Sequence, residues 1–143
     1  MKMIINFVKR HENAKLPVYS TTEAAGADIF SIDSYIVPPG GICLVKTGLG
    51  CSIPNGWELQ VRPRSGLALK NQITVLNSPG TIDSDYTGEL GVILVNHSDA
   101  IFKVAPGDRI AQIVLAPVYQ GQFSWTDEAR ETDRTGGFGS TGV

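Results

Sequence analysis

Glycine and proline cut this chain into pieces too short for helices. Sixteen Gly and eight Pro among 143 residues interrupt the apolar runs about every eight to twelve residues. Both are poor helix formers, and Pro is confined to the edges and turns of sheets. Such punctuation predicts an all-β fold of short strands. The runs agree. In WELQVR, Trp57, Leu59 and Val61 alternate with Glu58, Gln60 and Arg62, the period of a half-buried strand. LGVILV (90–95) and RIAQIVLAPV (109–118) are apolar on both faces and read as interior strands. GICLVKTGLG (41–50) reads the same way with less contrast. Only SGLALKNQ, from Ser65 to Gln72, offers a short helix. With no repeat and no linker, the expectation is a single domain: a jelly-roll-like barrel or sandwich of two packed sheets. Its β body reaches about residue 125, and a polar, extended C-terminal arm occupies about 126–143.

Charge and cysteine usage narrow the function classes. Twelve Lys and Arg against fourteen Asp and Glu leave a net charge of −2. No strong field gathers nucleic-acid polymers or anionic membranes, so any phosphate recognition is local. No run reaches membrane-spanning length, and MKMIINFVKRHE lacks the apolar centre and cleavage site of a signal peptide; the cytosol is the expected location. Cys43 and Cys51, with only His11 and His97 for company, do not make a zinc site and read as reduced strand thiols.

Five stretches resist a purely structural reading. In AGADIF (25–30), Asp28 interrupts a small, apolar strand, where a carboxylate is costly without a partner; alone, it reads as an edge residue facing water. In RPRSGLALK (62–70), Ser65 and Gly66 open the helix. A serine there commonly serves as an N-cap, yet free N–H groups beside the Arg64 fork also suit an anion. In NSPGTIDSDYTGELG (77–91), residues 77–80 suit one turn and 83–88 another. Thr81 and Ile82 are expected to hold Asp83 in a strand, Tyr86 offers a flat surface with a polar end, and Gly91 clears room for a close approach. In PGDRIAQIVLAP (106–117), alternation places Gln112 on a face with Ile110 and Val114, where its amide needs partners. The tail DRTGGFGSTG (133–142) combines a cation, an aromatic, hydroxyls and four sterically open glycines, the ingredients for holding a base and a phosphate chain.

In order and spacing, AGADIF, RPRSGLA, NSPGTIDSDYTGE, GDRIAQ and GGFGSTG resemble the five motifs of the trimeric deoxyuridine triphosphatases (dUTPases), over about Ala25 to Gly142. The resemblance implies a homotrimer whose three sites each draw on all three subunits. One subunit's arm closes over a site lined by the other two. It implies hydrolysis of dUTP to dUMP and pyrophosphate with Mg²⁺, which keeps uracil out of DNA and supplies dUMP for thymidylate synthesis. By the same resemblance Asp83 is the general base, and Arg64, Ser65 and Gly66 bind phosphate. Gln112 contacts the α-phosphate region. Asn77 and the backbone of Gly80, Thr81, Ile82 and Asp83 read uracil, beside Gly91. Tyr86 packs on the deoxyribose, and Asp28 holds water bound to the metal. Phe138 covers the uracil ring, while Gly139, Ser140, Thr141 and Arg134 grip the far phosphates. A single residue, Thr135, separates Arg134 from GGF where the family pattern has two, which leaves Arg130 as the alternative cation.

Three rivals remain at this level. The dCTP deaminases resemble the same fold but act on C4 of a base. A dUTP-sensing regulatory protein would use the arm as a switch. A structural jelly roll would explain neither the Arg-Ser-Gly helix start nor the glycine arm.

Overall fold

A computed structural model describes residues 2–142. Among them, eleven strands and one helix follow in the order β1 (Asn6–Lys9), β2 (Val18–Tyr19), β3 (Ala27–Phe30), β4 (Tyr35–Val37), β5 (Ile42–Ser52), β6 (Trp57–Arg62), α1 (Ser65–Asn71), β7 (Ile73–Val75), β8 (Gly80–Ile82), β9 (Glu89–Asn96), β10 (Phe102–Val104) and β11 (Arg109–Pro117). Every pairing is antiparallel. One sheet has the order β1-β5-β9-β7, a second β2-β3-β11-β6-β8, and β4 pairs with β10 apart from both. The runs read as interior strands, β5, β9 and β11, each sit between two neighbours.

Alternation along the strands builds the core. Ala27, Ile29, Leu59, Val61 and Ile113 of the five-stranded sheet meet Val45, Leu49, Val75, Val92 and Leu94 of the four-stranded one. Each large aliphatic side chain buried this way contributes roughly 1.5–3 kcal/mol relative to exposure. Asn96, fully buried, satisfies its amide by donating to the Val37 carbonyl at 3.0 Å and the Ala100 carbonyl at 2.7 Å. That ties the end of β9 to β4, and it leaves no apolar continuity to be broken by a stranded polar group.

Three local expectations need correction. Ser65 is not the N-cap: Arg64 holds that position with extended backbone, no side chain caps the helix, and Ser65 is its first helical residue. Asp83 lies one residue past the end of β8 rather than within it; pairing stops at Leu59–Ile82, and the Tyr86 N–H closes a turn onto the Asp83 carbonyl. Gln112 shares a face with Val114 but not with Ile110. A register shift between Arg109 and Ala111 breaks the alternation, so Ile110 and Ala111 are both buried while Gln112 turns outward.

Among the described residues, the last backbone tie to the body is the Val118 N–H bonding the Gly56 carbonyl at 2.9 Å. From Tyr119 onward the described residues are all exposed. No helix among the described residues is long and apolar enough to cross a membrane.

Candidate functional site

The two outer-edge strands β7 and β8 are consecutive in sequence and border the same side of the sandwich, one in each sheet. Between them opens a cavity of about 160 Å³, lined by Val61, Val75, Asn77, Gly80, Thr81, Ile82, Tyr86, Glu89, Leu90, Gly91 and Ile93. It gathers most of the hairpin residues singled out from sequence. Gly80 is closely packed: a Cβ there would stand 3.2 Å from the Val61 side chain and 3.3 Å from the Asn77 amide nitrogen. Tyr86 folds back over its own turn, its hydroxyl donating to the Glu89 carbonyl at 2.9 Å. That path crosses Gly88, where any side chain would collide with the Tyr86 hydroxyl. At Gly91 the close approach comes from within the chain, since a Cβ would lie 2.7 Å from the Leu44 side chain.

Asp83 is not in that cavity. It lines an adjoining recess of about 580 Å³ with Asn55, Gly56, Trp57, Ser84, Asp85, Val118 and Gln120, and its side chain is open to solvent.

A third depression, about 380 Å³, lies on the outer face of the five-stranded sheet. Register creates it. Asp28 of β3 pairs with Gln112 of β11, which pairs with Arg62 of β6, so three polar side chains stand in one row on that face. Arg64, Ser65 and Gly66 follow directly at the end of β6 and complete the lining with Ser20, Ala24, Ala25, Gly26 and Val114. The first intrahelical bond runs from Ala68 to Arg64, which leaves the N–H groups of Ser65 and Gly66 without helical partners.

Asp28 does not face water from an edge. β3 is interior to its sheet, and the carboxylate is largely buried with three partners. Arg64 Nε donates to Oδ1 at 3.1 Å, Ser20 donates to Oδ2 at 3.1 Å, and Arg109 stands 3.5 Å from Oδ2. Gln112 donates its amide to the Pro63 carbonyl at 3.1 Å, fixing the turn that delivers Arg64. Arg64 and Arg109 flank the one carboxylate, and Arg62, bonded to Gln60, lines the depression beside Arg64, so positive charge is in surplus there and suits anions.

Sequence reading passed over Gly26, Ser20, Arg62 and Arg109. Gly26 leaves space for Gln112, whose amide oxygen occupies the place of the missing Cβ. The signals were present in AGADIF, RPRSG and GDRIAQ, but they become contacts only once β3, β11 and β6 are in register.

Among the described residues, none from 126 onward lines the hairpin cavity, the Asp83 recess or the arginine depression of its own chain. Phe138 is fully exposed, with backbone in the left-handed region at φ +47°, followed by Gly139 at +83°. Arg134 folds back to donate to the Gly136 carbonyl at 2.9 Å, next to the GGF triplet. Ser140 closes a turn onto Gly137 at 3.2 Å; Thr141 follows it, exposed. Among the described residues no three His, Cys, Asp or Glu side chains converge as metal ligands would.

Comparison with known proteins fits the same description. A family model described as dUTPase matches residues 12–142. Deoxyuridine 5'-triphosphate nucleotidohydrolase of Picosynechococcus sp. is 52% identical over 99% of this chain and 100% of that protein. The enzyme of the same name from Nautilia profundicola is 51% identical, covering 98% of this chain and 99% of its own. Among solved structures, Staphylococcus bacteriophage 80alpha dUTPase with dUPNHPP superposes with a TM-score of 0.90 at 26% identity, over 99% of this chain and 100% of that one. The match spans both depressions, the hairpin between them and the arm, and the chain belongs to the dUTPase family.

Proposed function

We propose that the chain hydrolyses dUTP to dUMP and pyrophosphate in sites shared between three copies of itself. The family and its full-length relatives support the reaction. The observation that carries the shared site is the uncovered arm: the described residues from Tyr119 onward are exposed, and Phe138 lies against neither the hairpin cavity nor the arginine depression of its own chain. In this arrangement the hairpin of one copy faces the arginine depression of another. The arm of a third closes the gap. Four exposed aromatics in that arm, Tyr119, Phe123, Trp125 and Phe138, favour such an arrangement because they find no cover on their own chain. Ile42 and Leu44, pointing away from the core on β5, add an apolar surface for a partner copy.

Each residue then has a task set by its chemistry. Asn77 and the backbone of Gly80, Thr81, Ile82 and Asp83 pair with the edge of uracil, with Gly91 in the cavity floor. Cytosine offers a donor where uracil offers an acceptor, and a site built on such pairing rejects the wrong base by roughly 10⁴ or more. The Tyr86 ring, held over its turn, supports deoxyribose and leaves no space for a ribose 2′-hydroxyl. Arg64 and the open N–H groups of Ser65 and Gly66 take phosphate oxygens, with Gln112 beside the α-phosphate. Asp83 accepts a proton from the water that attacks the α-phosphorus in line. General-base assistance of this kind is worth about 10²–10⁴ in rate. Phe138 covers the base, and Arg134, Gly139, Ser140 and Thr141 hold the outer phosphates. Mg²⁺ would be held by the triphosphate oxygens and, through water, by Asp28, and would supply charge neutralisation at the leaving pyrophosphate. Asp28 keeps acceptor capacity on Oδ1 for a water of that ion's shell.

The test is incubation of the full chain with dUTP, dTTP, dCTP and UTP plus Mg²⁺, reading pyrophosphate and ammonia together. Pyrophosphate from dUTP alone is the expected result. Ammonia from dCTP would replace the reading with deamination, and no product from any of them would leave a binding protein.

A further inference from the structure

Arg10 lies outside both depressions, yet it reaches the hairpin across the fold. Its guanidinium donates to the Thr87 carbonyl at 2.5 Å, a contact between residues far apart in sequence. The Arg10 backbone is itself anchored, its N–H bonding the Gly48 carbonyl at 2.8 Å just past the end of β1. Between these anchors the side chain runs over Gly50 of β5. A Cβ at Gly50 would stand 2.5 Å from Arg10 Nε, so a glycine is what lets the guanidinium through.

The peptide thus held lies in a short series of interlocked contacts. Thr87 follows Tyr86, whose hydroxyl crosses bare Gly88 to reach the Glu89 carbonyl. From the far side, the Thr47 hydroxyl donates to the Leu90 carbonyl at 2.5 Å, fixing the start of β9. Leu90 is therefore fixed from within the core, whereas the Thr87–Gly88 peptide depends on Arg10. If that peptide rotates, Gly88 no longer presents the bare surface over which the Tyr86 ring rests.

We infer that Arg10 is a positioning residue for the Tyr86 sugar shelf and sets discrimination between deoxyribose and ribose substrates. This rests on the assignment of Tyr86 as that shelf. The guanidinium touches no substrate; it acts through Thr87 and the turn.

The experiment compares kcat/KM for dUTP and UTP in the full-length protein, wild type against Arg10→Met, Arg10→Lys, Gly50→Ala and Tyr86→Ala. Arg10→Met lowers the dUTP-to-UTP ratio roughly five- to tenfold, the scale of one ordinary intramolecular hydrogen bond, with the thermal midpoint unchanged. Arg10→Lys regains most of the ratio, because one donor on a long stem suffices. Gly50→Ala reproduces the loss, and adding it to Arg10→Met changes the ratio no further, as expected of two lesions in one contact. An Arg10→Met ratio equal to wild type, with Tyr86→Ala lowering it, overturns the role of Arg10 alone. An unchanged ratio in Tyr86→Ala overturns the shelf assignment and this inference together.

Discussion

Asp83 is held on one side by the end of β8 and on the other by the turn bond from the Tyr86 N–H, while its carboxylate stays open to solvent. A fixed backbone with a free carboxylate suits a proton acceptor, and it makes the variant clean. Asp83→Asn keeps the fold and binds dUTP, while kcat falls at least about a hundredfold; calorimetric binding and pyrophosphate release check the two halves. At Cys51, desolvation by burial raises the thiol above its ordinary 9.0, outweighing a backbone hydrogen bond that pulls the other way. Cys43 shifts in the same direction by burial alone. The folded chain then keeps thiol protons that the unfolded chain releases. This contribution is whole below the unfolded value and fades as pH rises through the raised folded one. Wild type should accordingly lose more of its denaturation midpoint between about pH 8 and about pH 10 than Cys51→Ala does.

At the scale of elements, the β3–β11–β6 register does what no single motif does, setting Asp28, Gln112 and Arg62 in a row. Gly26→Ala would drive a methyl into the Gln112 amide oxygen and break its bond to the Pro63 carbonyl, loosening the turn that carries Arg64. Its KM for dUTP should rise roughly tenfold, the scale of a lost charge-assisted contact, with kcat less affected; steady-state kinetics decide. This is also where sequence stops being sufficient. The periods of β6, β9 and β11 were legible, because alternation and apolar runs are local properties. The outward turn of Gln112 was not, because it depends on a bulge that appears only when β11 pairs with β3. Asp28 looked like an edge carboxylate for the same reason: its arginines lie more than thirty residues away in sequence. Asp83 stood out as a residue, but its place just outside the strand followed from where β6 stops pairing.

For the whole molecule, the exposed arm is the deciding feature. Removing residues 134–143 should abolish turnover while leaving the assembly intact, since among the described residues no bond of 134–142 reaches the body within the chain. Light scattering gives the mass and pyrophosphate release the activity; a truncated protein at full rate would free the arm from its assigned role. Under the shared-site proposal each centre draws its hairpin and its arm from different copies, so damage to one copy would not confine itself to one centre. Two dead variants, Asp83→Asn and the arm deletion, should therefore rescue each other when unfolded and reassembled as a mixture. With equal amounts and random association, about a quarter of the centres would draw every working part from an undamaged donor. Activity born from two inactive preparations is a signature that no self-sufficient monomer can produce.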